Sequence, residues 1–199
     1  MAEIENYVPK LIRIEVGVAR NEVKYESLED YFTRSKKYNY IVTNGTYIVK
    51  GDRGAMTVVG VSIKCWKNYL KSVGRYKGPN EAVRSLAQIS YKEWLDVLKR
   101  VFWNPCKATS MSHQQTAEML VDFAYNCGVA RAVKKAQLAC GVAADGIIGP
   151  KTLEAFNAPG AYEKIRQARV DYYNNLVALD PGQKKFLKGW LNRLDRLEK

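Results

Sequence analysis

From about residue 61 to its end the chain is written in helical period, one amphipathic segment after another with short breaks between. "SIKCWKNYLKSVG" closes on Gly74. "SYKEWLDVLKRVFW" starts from Ser90 as N-cap with Glu93 three residues on, the reciprocal capping box of a helix start. "QQTAEMLVDFAYNCG" is strongly apolar, as a helix central to a core is. "ARAVKKAQLACG", "GPKTLEAFNA", "AYEKIRQARVDYYNNLVAL" and "QKKFLKGWLNRLDRLEK" complete the set. Pro150 takes a first-turn position, where a missing N–H costs nothing. Short helices of this kind bury their apolar stripes against one another, so the class is mainly α.

Ahead of them lie one further helix and one strand pair. In "YVPKLIRIEVG", Val8, Leu11 and Ile12 fall at i, i+3 and i+4, which predicts a helix over 5–16. The next stripe position is occupied by a carboxylate, Glu15, just before Gly17. A polar, Tyr-rich stretch follows ("YESLEDYFTRSKKYNY"), read as a short helix with a loop. Then "YIVTNGTYIVKG" sets two β-branched and aromatic runs around Asn44-Gly45, the signature of a two-residue hairpin turn.

With 199 residues, 47% of them hydrophobic, and four Trp, there is material for one sizeable globule or two small lobes. A net charge of +12 points to a polyanionic partner: nucleic acid, an anionic membrane or the bacterial cell wall. That charge is spread along the chain ("SKK", "VKKAQ", "GQKKFLKGW") and forms no basic arm. Cys65, Cys106, Cys127 and Cys140 form no CxxC pair, and His113 is the single histidine, which argues against a zinc site and a His-dependent triad. The thiols are expected to be reduced and packed as small apolar groups. "MAEIENYVPK" carries acids where a signal peptide needs a basic start, and no run approaches a membrane span. Synthesis in the cytoplasm without a signal peptide is the expectation.

After the hairpin comes "GDRGAMTVVGVS", with Asp52 and Thr57 on a Gly-rich turn and Gly54 and Gly60 permitting close approach of backbone or ligand. Glycoside hydrolysis needs such an asymmetry. One carboxyl keeps its proton for the leaving oxygen, while a second polar group holds water or steadies an oxocarbenium-like transition state. A Glu15 desolvated against Val8, Leu11 and Ile12 would have its pKa raised, because burial penalises the charged form. The same residues also fit plainer roles: Glu15 paired with Arg13 or Arg20, Asp52 a turn residue, Thr57 a backbone partner.

"GVAADGIIGPKTLEAF" combines an Asp145-Gly146 turn with a Gly149-Pro150 break, and Val142, Ile147, Ile148, Leu153 and Phe156 are expected to pack that turn onto helices. A DNA-reading helix here would offer only Lys151, Glu154 and Asn157, with the Glu repelling phosphate, so nucleic acid is not the expected partner. Asp122 and Asn126, at i and i+4, either brace an otherwise apolar helix or place Asn126 at a substrate cleft. Trp103 is either core or a sugar-stacking platform, and Trp66, Trp94 and Trp190 read as core.

The chain resembles the glycoside hydrolase family 108 muramidases, phage-type lysozymes and related secretion activators with a C-terminal peptidoglycan-binding-like half. Pro9 lies six residues before Glu15, and "EVG" stands for the family's Glu-Gly-Gly with Val16 in place of the first Gly. "DRGAMTVVGVS" keeps Asp52, Gly54, Thr57, Gly60 and Ser62 in register with the family's Asp-Pro-Gly-Gly-x-Thr segment. "EWLDVLKRVFWNPCKA", "VDFAYNCG", "QLACGVAADGIIGPKTLEAFN" and "KKFLKGWLNRL" also follow its pattern. Unlike the family, 36 residues (positions 16 to 51) separate Glu15 from Asp52.

The resemblance implies a lysozyme-like α-helical globule with one small β-hairpin. A catalytic lobe would span 1–105, with a hairpin insertion at about 18–50, and a peptidoglycan-binding-like lobe 106–199. It implies an N-acetylmuramidase that cleaves the β-1,4 bond between N-acetylmuramic acid and N-acetylglucosamine. Glu15 would be the general acid, Asp52 and Thr57 would serve water or charge, and Trp103, Asn126, Gly54 and Gly60 would meet substrate. Neither metal nor cofactor is expected, and the protein is expected to act as a monomer with peptidoglycan as partner. It would reach the wall by holin, lysis or dedicated export. A non-catalytic wall-binding or secretion-accessory protein on the same fold is the alternative, favoured by Val16 and the long insertion.

Overall fold

A computed structural model describes residues 1–16, 27–35, 40–43, 46–49 and 56–198 of the chain. Contacts divide it into two compact units, Glu15–Val101 and a discontinuous one made of Met1–Ile14 with Phe102–Lys199.

In the Glu15–Val101 unit, α2 (Leu28–Ser35) precedes two antiparallel strands, β1 (Tyr40–Thr43) and β2 (Thr46–Val49). Thr43 pairs with Thr46, the register of a two-residue connection, while Asn44 and Gly45 themselves lie outside the described residues. The Gly-rich turn expected next is, over Thr57–Ser62, a second and shorter hairpin. β3 (Thr57–Val58) pairs with β4 (Val61–Ser62) around Val59 and Gly60, whose φ angles are 44° and 76°. A two-residue turn with both central residues left-handed matches the twist of its strands. Gly60 adopts that conformation freely, whereas the β-branched Val59 is strained in it. The buried Trp94 indole donates to the Val59 carbonyl at 3.2 Å and anchors the turn.

Ser62 then ends β4 and caps α3 (Ile63–Ser72), its hydroxyl accepting from the Cys65 N–H at 3.2 Å. α4 (Pro79–Ala87) follows, and the Trp66 indole donates to Ser85 at 3.0 Å between these two helices. α5 (Tyr91–Val97) opens with the expected capping box, Ser90 Oγ accepting from the Glu93 N–H and the Glu93 carboxylate accepting from the Ser90 N–H, both at 3.2 Å. Phe32 of α2 meets Tyr91 and Trp94 of α5, closing an aromatic core. α5 continues as a π-helical turn, Leu98–Trp103.

The discontinuous unit holds most of α1 (Ile4–Val16) with α6 (Gln114–Cys127), α7 (Val129–Ala139), α8 (Pro150–Asn157), α9 (Ala161–Leu179) and α10 (Lys184–Glu198). Tyr7, Val8, Leu11 and Ile12 of α1 are buried as the stripe required, and α6 is buried over ten consecutive residues, Thr116–Tyr125. Polar contacts fasten α1 onto α6. The Glu3 N–H donates to Gln114 Oε1 at 2.7 Å, Gln114 Nε2 donates back to the Glu3 carbonyl at 2.9 Å, and Lys10 pairs with the buried Glu118 at 2.8 Å.

The centre of this unit is ionic. Asp122 on α6 has no exposure and accepts from Tyr7 Oη (3.0 Å), Arg169 Nη2 (2.6 Å), Arg193 Nε (2.8 Å) and Arg193 Nη2 (2.7 Å). Four helices, α1, α6, α9 and α10, thus meet at one carboxylate. Burial by itself would raise the Asp122 pKa, but the charges and hydrogen bonds of Arg193 and Arg169 outweigh it and hold the carboxyl far below the usual range. Arg169 lies on the buried stripe of α9 between Ile165 and Tyr173, with its guanidinium against the Phe123 and Tyr173 rings.

Candidate functional site

Glu15 stands in the last turn of α1, half-buried, three and four residues beyond the buried Ile12 and Leu11. Thr57 opens β3, is half-buried, and faces Ser62 across the ladder. Both belong to the Glu15–Val101 unit. Asp52 and Gly54 lie outside the described residues. Gly60 is the second left-handed residue of the β3–β4 turn, so its missing Cβ serves that turn.

Trp103 and Asn126 belong to the other unit. Trp103 is 2% exposed, stacks on Tyr7 with centroids 6.2 Å apart, and donates through its indole to Thr109 Oγ1 at 2.8 Å. A ring sealed on both faces offers a sugar nothing to stack on, so the core role replaces the platform role. Asn126 is exposed, and its Nδ2 donates to the Asp122 carbonyl one turn earlier at 2.8 Å. It braces the helix, while the Asp122 side chain turns inward to the arginines.

The Asp145-Gly146 motif is organised from within by Gln137, which is fully buried on α7. Its Nε2 shares two hydrogens among Asp145 Oδ1 (2.8 Å), the Ile147 carbonyl (3.0 Å) and Thr152 Oγ1 (3.1 Å), and its Oε1 accepts from the Gly146 N–H (2.8 Å). Gly146 has φ 86°, and a Cβ there would stand 3.1 Å from Lys134 Cε, so only glycine fits without displacement. Ile147, expected inside, is 70% exposed while its carbonyl accepts from Gln137, whereas Ile148 and Phe156 are buried as expected. Asn157 is taken up by the turn before α6, its Oδ1 accepting from the Ser112 N–H at 2.7 Å.

Thiol chemistry is suppressed. Burial pushes the Cys65 and Cys127 thiols up to about 11 and Cys106 up to about 12, so they are protonated at neutral pH. Among the described residues no three His, Cys, Asp or Glu side chains are grouped to hold a metal ion.

Residues 43–128 match the family Glycosyl hydrolase 108, and residues 129–195 match the family described as Predicted Peptidoglycan domain. The chain carries a glycosyl hydrolase 108 domain. No curated protein matches the chain. Its fold is similar to that in the "Structure of Brucella abortus SagA", with a TM-score of 0.63 and 24% identity over 83% of this chain and 86% of that one. With that domain joined to a peptidoglycan domain on a mainly α, lysozyme-like fold, the protein is a peptidoglycan hydrolase. Its glycosyl hydrolase match begins inside β1 and ends at Gly128, between α6 and α7.

Proposed function

We propose that the protein is an N-acetylmuramidase that hydrolyses the β-1,4 bond between N-acetylmuramic acid and N-acetylglucosamine, with Glu15 as general acid. The observation that carries this is the place of Glu15. It is a half-buried carboxyl in the closing turn of an otherwise apolar helix stripe, and it shares a compact unit with Thr57 and most of the family 108 match. Protonated Glu15 gives its proton to the glycosidic oxygen as the bond to the anomeric carbon breaks. Asp52 and Thr57 hold the incoming water or offset positive charge on the sugar ring, and the water's proton leaves to the ionised carboxyl. Gly54 and Gly60 meet the substrate through their backbone.

The protein works as a monomer, without nucleic acid, and reaches the wall by holin, lysis or dedicated export. No described helix is long and apolar enough to cross a membrane. The test is Glu15→Gln, which keeps shape and removes the transferable proton. Wild type should clear a suspension of purified peptidoglycan, and the variant should fail to clear it while still sedimenting with the wall. Equal clearing by both proteins would remove Glu15 from the chemistry.

A further inference from the structure

Between α7 and α9 opens a groove of about 430 Å³, a size typical of small-ligand sites. Its apolar surface comes from Leu138, Ala139 and Ala168, and Leu138 is 67% exposed. Two ammonium groups, Lys135 and Lys164, and one carboxylate, Asp171, also line it. Asp171 is held by Gln167, whose Nε2 donates to it at 2.8 Å. The aromatic side chain in the lining, Tyr172, is already engaged. Its ring meets Phe123 and Tyr173 at 5.5 and 5.6 Å, both tilted, and its hydroxyl accepts from Arg131 at 3.3 Å. The groove therefore has little of the flat aromatic surface that suits a sugar ring and much that suits a small zwitterionic peptide.

Peptidoglycan contains such a group. Its glycan is uncharged N-acetyl amino sugar, while its stem peptide carries alanine methyls, free carboxylates and, in uncross-linked strands, the side-chain amine of a dibasic residue. We propose that this groove binds the stem peptide. Its carboxylates pair with Lys135 and Lys164, its methyls rest on Leu138, Ala139 and Ala168, and its amine pairs with Asp171. All these residues fall within the Predicted Peptidoglycan match, 129–195, and the proposal rests on the protein being a peptidoglycan hydrolase. Binding there would hold the enzyme on peptide-bearing strands, independently of the acid that cuts them.

The experiment uses the full-length Glu15→Gln chain, which cannot consume the wall, titrated with an alanyl-γ-glutamyl-lysyl-alanine tetrapeptide. Saturable binding is expected, with amide shifts at Leu138, Ala139 and Ala168. Lys135→Glu with Lys164→Glu should weaken it about tenfold or more, as expected for lost charge-assisted contacts. Asp171→Asn should weaken the tetrapeptide but not its Nε-acetyl-lysine form. All three positions are on the surface, and circular dichroism checks that the variants are folded. The proposal falls if the tetrapeptide does not saturate, if the charge reversals bind it as wild type does, or if neutral N-acetylglucosamine oligomers alone shift these residues. Clearing by wild type is a separate readout, so a catalytic protein with an idle groove, or a peptide-binding one that does not cut, identifies which reading failed.

Discussion

Removing the carboxylate of Asp122 should destabilise the protein by about 3–5 kcal/mol, the cost of breaking a buried ion pair from one side. The geometry says where that cost falls. Arg169 has no exposure, and without Asp122 its remaining partners are neutral: the Tyr173 hydroxyl at 3.0 Å and Met119 sulfur at 3.6 Å. Its charge would stay desolvated and uncompensated. Arg193 keeps 13% exposure and can turn toward water, so it adds less. In Asp122→Asn one neutral oxygen is left to accept where two charged ones served Tyr7, Arg169 and Arg193.

For a chain of this length the loss corresponds to a fall in melting temperature of about 6–20 °C, measured by calorimetry on wild type and Asp122→Asn. The deficit should depend on pH with a definite sign. The folded-state pKa of Asp122 is depressed, so its stabilisation is complete above the unfolded carboxylate pKa of about 3.9 and drains away as pH falls toward the folded value. Wild type and variant should therefore differ most near neutrality and converge in acid. Adding Arg169→Met to Asp122→Leu should recover much of the loss, because the orphaned charge is then gone. A neutral-pH deficit below about 1 kcal/mol, the worth of an exposed pair, would refute the buried-hub account.

Trp103→Ala should cost about 3–5 kcal/mol in denaturant titration while leaving peptidoglycan co-sedimentation of the folded protein intact. Weakened binding at unchanged stability would restore Trp103 as a sugar platform. Gln137→Leu removes the amide's hydrogen bonds from the Asp145–Thr152 turn and should cost about 2–3 kcal/mol in thermal melts. A loss under about 0.5 kcal/mol, the size of an ordinary surface change, would mean that the turn stands without it.

The helices were legible wherever local rules act alone. Ser90 and Glu93 announce α5, Pro150 opens α8, and the apolar run at 114–127 becomes the buried α6. The same Gly-Pro punctuation at Gly78-Pro79 opens α4, a helix that the sequence expectations omitted although the signal was there. The β3–β4 hairpin was harder, because a valine at φ 44° is not what a left-handed turn ordinarily selects; Trp94, 35 residues away, holds it there. Asp122 advertised its need for a partner by standing on an apolar helix. Arg169, between Ile165 and Tyr173 on a buried stripe, did so as well. Nothing local matches two such residues 47 positions apart. Of the expected catalytic set, Glu15 and Thr57 share a unit, and Trp103, open in the sequence between core and platform because an indole reads alike in both, is buried.

The four-helix meeting point bears on how such a chain reaches its final form. During synthesis Tyr7 emerges 115 residues ahead of Asp122, and Arg193 follows 71 residues after that. The anion therefore waits for its second cation through those further residues, and α1 is tied through Asp122 to the much later α10. Cutting the gene at the 128/129 junction between the two matched families would part Asp122 from both arginines. Neither half should hold the discontinuous unit in folded form, since the seam between the families runs through the middle of it.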